Sequence, residues 1–133
     1  MDLIADTTFL IGLWRRQAWA VTFARAHADQ RVAIPWVVLG EFWHGAIRAG
    51  HELRSIEQFL LLGVPLLDPQ PVIPVYASLC ARIQQEPGYR SIGQNDLWIA
   101  STALAFNRPL VTRNRRHFDL IADLQLHALA EPS

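Results

Sequence analysis

Residues 3–13 of the chain, LIADTTFLIGL, join two apolar runs across the polar residues Asp6, Thr7 and Thr8. The first run, Leu3–Ala5, is typical of a short buried strand, and the second, Phe9–Leu13, is consistent with a short helix. Short polar side chains between two such runs mark a helix N-terminus. The stretch therefore predicts a strand that leads directly into a helix, with an acidic residue at the junction.

The same alternation of short apolar runs and longer stretches with helical spacing continues along the chain. The predicted strands are Leu3–Ala5, Val32–Ile34, Val64–Leu67, Leu110–Thr112 and Gln125–Leu129. The predicted helices are Phe9–Leu13, Gln17–Asp29, Trp36–Ala49, His51–Leu62, Val72–Gln85 and Asn95–Phe106. Residues 89–93 are predicted to be a loop, and residues 113–117 form a polar basic segment. This order predicts an α/β fold with a mostly parallel sheet covered by helices on both faces.

The composition is that of a single globular domain spanning residues 1–133. Apolar residues make up 51% of the chain and charged residues 18%, which excludes intrinsic disorder. Twelve arginines balance twelve acidic residues and lysine is absent, so the chain is not a generally basic protein that coats nucleic acid. The single cysteine, Cys80, excludes an intrachain disulfide framework and a cysteine-based zinc site.

Two features of the sequence bear on its location in the cell. The longest apolar runs, residues 32–40 and 59–67, are about half as long as the roughly 20 residues that span a bilayer. The beginning of the chain, MDLIAD, has acidic residues where a signal or transit peptide needs basic ones. We therefore expect a cytoplasmic protein that does not associate with membranes.

Three acidic residues, Asp6, Glu41 and Asp96, have apolar neighbours in the sequence. A charged carboxylate is costly to bury unless it is paired or bound to a metal. Each residue also has a purely structural interpretation. Asp6 can cap the helix that follows it, and Asp96 can favour a helix N-terminus through the helix dipole. Glu41, with His44 and Arg48 three and seven positions later, can belong to a solvated helix face.

The predicted sheet gives these acidic residues a shared location. Ligands of an open parallel sheet bind beyond the carboxyl ends of its strands. Asp6 follows the first strand, Glu41 lies in the helix after the second, and Asp96 opens a helix with small residues beneath it. Three carboxylates that converge there suit Mg²⁺ or Mn²⁺ rather than zinc. Without an ion they would repel one another, and at least one would take up a proton at neutral pH.

Four strings, in this order and spacing, resemble a known family: IADTTFLIG (4–12), LGEFWHG (39–45), NDLWIAS (95–101) and LVTRNRRHF (110–118). They are similar to PIN-domain proteins and look most like VapC-type toxins, the ribonuclease half of bacterial toxin–antitoxin pairs. The resemblance implies a three-layer α/β/α sandwich with a parallel sheet of about five strands. It also implies a Mg²⁺ or Mn²⁺ site formed by Asp6, Glu41 and Asp96, which are then the catalytic residues.

The resemblance extends to neighbouring polar residues, with one departure. Thr8 and Thr112 match hydroxyl positions of the family, next to the first acid and at the end of the fourth strand. Many members have a fourth acid after that threonine, where this chain has Asn114 and His117, and Asp119 is the first acid available. Asn114 can still offer a neutral oxygen to a metal or its water. The loss of a negative charge leads us to expect weaker or single-metal binding.

The basic segment and the long helices are the candidate binding surfaces. Arg113, Arg115 and Arg116, with the nearby Arg108, can hold RNA phosphates, or can form a solvated loop or a site for an antitoxin carboxylate. The family implies an RNA substrate, a cognate antitoxin and a homodimer. We expect an acidic or hydrophobic antitoxin segment to dock across the cleft and to place side chains near the metal. Exposed apolar residues on 17–29 and 51–62 are the candidates for its groove, and helices from the middle of the chain for the dimer interface.

Other assignments explain the sequence less well. A phosphatase of the haloacid dehalogenase type needs an aspartate at position 8, which is Thr8, and a receiver domain needs a late lysine, which the chain lacks. No histidine is assigned a catalytic role, and Cys80 is assigned to packing. The remaining alternative is a catalytically impaired PIN fold that only binds an antitoxin or RNA.

Overall fold

The computed structural model describes residues 1–128, which form a five-stranded sheet, six α-helices and two short 3₁₀ turns. The strands are β1 (Leu3–Ala5), β2 (Val32–Pro35), β3 (Val64–Leu66), β4 (Leu110–Thr112) and β5 (Leu126–Ala128). The helices are α1 (Thr7–Trp14), α2 (Ala18–Ala26), α3 (Trp36–Arg48), α4 (Leu53–Leu60), α5 (Ile73–Ile83) and α6 (Gln94–Phe106). The 3₁₀ turns are Tyr89–Ser91 and Arg115–Phe118.

The sheet has the strand order β3-β2-β1-β4-β5, and every pair of neighbouring strands is parallel. The first strand along the chain therefore lies at the centre. Its neighbours are β2, with Leu3 opposite Val32, and β4, with Ala5 opposite Val111. Because all the strands point the same way, the residues that follow β1, β2 and β4 meet at one edge of the sheet.

Both faces of the central strands are covered, which confirms the predicted α/β class with a parallel sheet. Leu3, Ile4 and Ala5 are each at most 1% exposed, although successive side chains of a strand point to opposite faces. Leu110 and Val111 of β4 are fully buried in the same way. Continuous apolar strands of this kind require a helical layer on each side, as in an α/β/α sandwich.

Side chains at the helix ends explain where the helices begin and end. The Asp6 carboxylate accepts a hydrogen bond from the Thr7 backbone N–H at 2.8 Å, which caps α1. Helix α6 ends at Asn107, which adopts a left-handed conformation with φ of 51°. Asparagine tolerates that conformation better than most residues, and it commonly ends helices in this way.

The first two helices approach each other closely at Gly12. A Cβ atom at this position would lie 2.5 Å from Cζ2 of Trp19 and 2.9 Å from Cβ of Ala20. Only glycine leaves room for this approach, so Gly12 fixes how α2 packs against α1. The packing places Phe9 of α1 edge-to-face against Phe23 of α2, with ring centres 5.5 Å apart.

The observed bounds differ from the predicted ones by one to three residues at both helix starts and helix ends; α2, for example, ends at Ala26 rather than Asp29. Helix α1 begins at Thr7 rather than Phe9, because the Asp6 cap draws the two threonines into its first turn. Helix α6 begins at Gln94, so Asn95 and Asp96 lie inside its first turn rather than at its start. Residues 89–91, predicted as loop, form a 3₁₀ turn. Leu129, the predicted end of the last strand, lies outside the described residues.

Across the described part of the chain, no helix combines the length and the apolar character needed to cross a membrane.

Candidate active site

Asp6 is the most deeply buried acid at the carboxyl edge of the sheet, with 3% of its surface exposed. Its Oδ1 accepts the backbone N–H of Thr7. Its Oδ2 accepts two hydroxyl hydrogens, from Thr8 at 2.9 Å and from Thr112 at 2.6 Å. Three donors on one carboxylate compensate part of the cost of burying its charge and fix its orientation.

The two hydroxyls that serve Asp6 also tie it to the residues after β4. Thr112 Oγ1 accepts the backbone N–H of Asn114 at 3.0 Å, and Thr8 Oγ1 accepts that of Arg113 at 3.0 Å. Because each hydroxyl oxygen accepts a backbone N–H, its single hydrogen is free to point at the carboxylate. The structure thus places Thr8 and Thr112 against Asp6, whereas Asn114 contacts this network through its backbone.

Glu41 lies near Asp6 because one threonine contacts both. The Thr7 hydroxyl donates to Glu41 Oε1 at 2.7 Å, while the backbone N–H of the same residue donates to Asp6. Glu41 is in the second turn of α3, which follows β2. The sequence placed Glu41 at this edge of the sheet but gave no sign of its contact with Thr7, since the two residues are 34 positions apart.

Asp96 has a partner that the sequence analysis did not assign to the site. Its Oδ2 lies 2.9 Å from Nδ1 of His117, and the two side chains are 21% and 52% exposed, respectively. Asp96 is in the first turn of α6, and His117 is in the 3₁₀ turn after β4. The position of His117 after the predicted strand 110–112 was the available signal. Residue type alone could not show whether His117, Asn114 or Asp119 contacts the site.

The pKa values show that the three acids interact electrostatically. Burial raises the pKa of Asp6. The hydrogen bonds from Thr112, Thr8 and Thr7 lower it in part, and the negative charge of Glu41 raises it. Burial also raises the pKa of Asp96, and the negative charge of Asp6 raises it further, while His117 lowers it. The ionised forms of the two aspartates are therefore disfavoured, chiefly by burial and in part by the charges of the neighbouring acids.

The donor chemistry of this site fits a hard divalent ion. Carboxylate oxygens are the ligands that Mg²⁺ and Mn²⁺ prefer, and a positive charge would offset both the burial and the repulsion that raise the two aspartate pKa values. Among residues 1–128, no three acidic, histidine or cysteine side chains already stand in a metal-binding arrangement. The three acids instead form hydrogen bonds with Thr7, Thr8, Thr112 and His117.

The predicted RNA-binding arginines lie in different environments. Arg115 and Arg116 are exposed in the 3₁₀ turn, and Nε of Arg115 lies 4.0 Å from Oδ1 of Asp119. Arg113 is half-buried, with the carbon of its guanidinium group 5.3 Å from the ring centre of Trp19. A guanidinium over an aromatic face is a packing contact as well as an electrostatic one. The structure therefore separates Arg113 from the two exposed arginines.

An apolar groove lies on another side of the molecule, between α1, α2 and α4. It has a volume of about 380 Å³ and is lined by residues that include Phe9, Phe23, His27, Phe59 and Leu62. The groove thus combines residues from both stretches, 17–29 and 51–62, that the sequence analysis assigned to antitoxin binding.

Comparison with known proteins gives a consistent result. The PIN domain family matches residues 3–124. Ribonuclease VapC1 of Haemophilus influenzae strain R2866 is 30% identical over 129 residues, which cover 94% of this chain and 96% of that protein. Ribonuclease VapC of Rickettsia bellii is 33% identical over 132 residues, which cover 95% of each chain.

Solved structures agree with the sequence relatives. The structure of VapBC-1 from nontypeable Haemophilus influenzae matches with a TM-score of 0.80 and 25% identity, covering 96% of this chain and 98% of that one. VapBC2 from Rickettsia felis, bound to a DNA fragment from its promoter, matches in fold with a TM-score of 0.78 and 24% identity, covering 98% of this chain and all of that one.

Proposed function

The chain belongs to the PIN domain family, and on that premise we propose that it is a metal-dependent endoribonuclease, the toxin of a type II toxin–antitoxin pair. The relatives named Ribonuclease VapC support this function over nearly the whole chain. The observation that carries the proposal is the convergence of electrostatically interacting acids on one edge of the sheet.

Asp6, Glu41 and Asp96 would hold a Mg²⁺ or Mn²⁺ ion. Such an ion, when bound, lowers the pKa of a water molecule and neutralises charge on the scissile phosphate. Asp6 contributes a carboxylate whose orientation is fixed by three hydrogen bonds. Glu41 and Asp96 are the two candidates to orient the attacking water and accept its proton. Both have only one hydrogen-bonded oxygen in the contacts described above.

Exposed basic residues beside the acids supply a surface for the RNA backbone. Arg115 and Arg116 follow the strand that carries Thr112, so they lie near the carboxyl edge of the sheet. Their guanidinium groups suit phosphate oxygens, whereas Arg113 supports the surface by packing on Trp19. Unstacked bases of single-stranded or loop RNA would then lie within reach of neighbouring side chains.

Metal-dependent cleavage is the direct test. Purified protein is incubated with structured RNA and Mg²⁺ or Mn²⁺, alongside Asp6→Asn, Glu41→Gln and Asp96→Asn. Each substitution removes one carboxylate, and we expect large losses of cleavage. Asp29→Asn is the matched control, because Asp29 is exposed in the turn before β2, at the opposite edge of the sheet from the three acids. Cleavage that persists in all three site variants would exclude this nuclease site.

One observation favours a second function, a catalytically impaired PIN fold that only binds an antitoxin or RNA. The three acids of this chain are engaged with hydroxyls and a histidine rather than arranged as ligands. A parent protein that binds Mn²⁺ and RNA but does not cleave would support this alternative.

The antitoxin partner has a candidate docking site in the groove between α1, α2 and α4. Its aromatic and aliphatic lining fits an apolar segment of the antitoxin, such as an amphipathic helix. Leu62→Glu should weaken the complex in a pull-down with the cognate antitoxin. Ile47→Glu is the matched control, because Ile47 is 53% exposed on α3, outside the lining of this groove.

We further propose that residues 1–133 act as one cytoplasmic domain that forms a homodimer through helices from the middle of the chain. Sedimentation of the purified protein with and without antitoxin tests the dimer.

A further inference from the structure

His117 is the residue after β4 whose side chain reaches the acids. Its Nδ1 lies 2.9 Å from Asp96 Oδ2. The two alternatives that the sequence left open are placed differently. Asp119 is 61% exposed and faces Arg115 at 4.0 Å. Asn114 contributes a backbone N–H to Thr112. Of the three residues that could take the place of the missing fourth acid, His117 is therefore the one whose side chain contacts a site carboxylate.

The surrounding structure holds His117 in place. Its backbone N–H donates to the carbonyl of Asn114 at 3.1 Å, which closes the 3₁₀ turn. The next residue, Phe118, is 1% exposed and anchors the turn in the core. Asn114 is in turn bonded to Thr112, which serves Asp6. One short segment thus supports both Asp6 and Asp96.

We propose that His117 is a positioning residue: its Nδ1–H donates to Asp96 Oδ2 and leaves the other oxygen of that carboxylate to hold the ion. This inference rests on the metal-dependent function proposed above. When Asp96 is ionised to hold the ion, its carboxylate only accepts hydrogen bonds, so the hydrogen of this pair is then on Nδ1. A donor on one carboxylate oxygen fixes the rotation of the group, as outer hydrogen bonds do for many metal ligands.

The test compares two substitutions that differ in one property. His117→Phe keeps a ring of similar size but removes the donor. His117→Asn retains an N–H donor on the atom equivalent to Nδ1 and loses most of the ring. Affinity for Mn²⁺ is measured by electron paramagnetic resonance of the free ion, with the full chain and without RNA. We expect His117→Phe to weaken Mn²⁺ binding about 10–100-fold and His117→Asn to restore most of it.

Two controls separate positioning from folding. Thermal unfolding of each variant without metal reports whether the 3₁₀ turn still packs. His44→Phe is the matched substitution, because His44 is an exposed histidine one helical turn from Glu41. We expect His44→Phe to bind Mn²⁺ as the parent does.

Several results would overturn the inference. The first is that a folded His117→Phe variant binds Mn²⁺ as tightly as the parent. The second is that a folded His117→Asn variant binds Mn²⁺ no better than His117→Phe, and the third is that the parent binds no Mn²⁺. Strong coupling of bound Mn²⁺ to a histidine ¹⁴N nucleus that is lost in His117→Phe would make His117 a ligand instead. Because RNA is absent, a parent with His117-dependent Mn²⁺ binding that cleaves no RNA would refute the proposed nuclease and leave this inference standing.

Discussion

Replacing Thr112 by valine tests whether its hydroxyl stabilises the buried carboxylate of Asp6. Thr112 is fully buried, and its Oγ1 donates to Asp6 Oδ2 at 2.6 Å while accepting the Asn114 N–H at 3.0 Å. A hydrogen bond to a charged group contributes about 1.5–3 kcal/mol, and the half-buried N–H adds about 1 kcal/mol. The new methyl group recovers up to about 0.8 kcal/mol by burial. We expect a net loss of roughly 2–3 kcal/mol in the free energy of unfolding.

The assay is urea and thermal unfolding at pH 7 without metal. For a chain of 133 residues, each kcal/mol corresponds to about 4 °C, so the melting temperature should fall by roughly 8–12 °C. Thr102→Val is the matched control, because Thr102 is equally buried and its hydroxyl donates at 2.8 Å to the neutral carbonyl of Trp98 in the same helix. That carbonyl keeps its helical partner, so we expect a loss below about 1 kcal/mol.

The pH dependence separates the charge from the packing. Burial raises the folded-state pKa of Asp6, so the carboxylate becomes protonated as the pH falls through a value above its ordinary one. The part of the Thr112→Val loss that depends on charge should shrink in that window. If Thr112→Val costs no more than Thr102→Val at pH 7, the hydroxyl does not stabilise the carboxylate and the reasoning is wrong.

Three further predictions concern the site charge, the packing of the first two helices and the RNA surface. Burial and the Asp6 charge raise the folded-state pKa of Asp96, so its ionised form costs stability at pH 7, and this cost disappears as the pH falls through that pKa. Asp96→Asn should therefore raise the melting temperature of the metal-free protein at pH 7 but not near pH 4. The same difference at both pH values would exclude a charge effect. Gly12→Ala should lower the free energy of unfolding in urea by about 1–3 kcal/mol, because its Cβ would lie 2.5 Å from the Trp19 ring. Gly45→Ala on α3 is the control and should stabilise the protein by about 0.5–1 kcal/mol, because no atom lies within 4 Å of its Cβ. Equal effects of the two substitutions would contradict the close approach at Gly12. Arg115→Gln should weaken RNA binding in fluorescence anisotropy and reduce the salt slope by about 0.7, whereas an unchanged slope would place RNA elsewhere.

The fold was predictable because its central strands are buried on both faces. Continuous apolar runs such as Leu3–Ala5 and Leu110–Thr112 stand out from the amphipathic helices around them, and their alternation with helices indicates parallel pairing. The prediction of a five-stranded parallel sheet is confirmed by the strand order and by the solved structures it matches. Helix bounds were less accurate because local contacts, rather than apolar periodicity, set them: the Asp6 cap, for example, sets the first residue of α1.

The site was predictable in its location but not in its contacts. The acids could be assigned to one sheet edge because each follows or faces a strand end. The contacts of these acids could not be predicted. Glu41 binds Thr7, 34 residues away, and Asp96 binds His117, 21 residues away, and both contacts depend on side-chain directions. Arg113 shows the same limit, because Arg115 and Arg116, two and three positions later, are exposed while the Arg113 side chain packs on Trp19.

The position of β1 at the middle of the sheet leaves three interior strands and two edge strands. The strands that precede Asp6, Glu41 and the Thr112 segment are the three innermost, whereas β3 and β5 form the outer borders. Reporter fusions, affinity handles or grafted loops belong on those borders. One strand, β2 or β4, separates an alteration in β3 or β5 from β1 and the Asp6 that follows it.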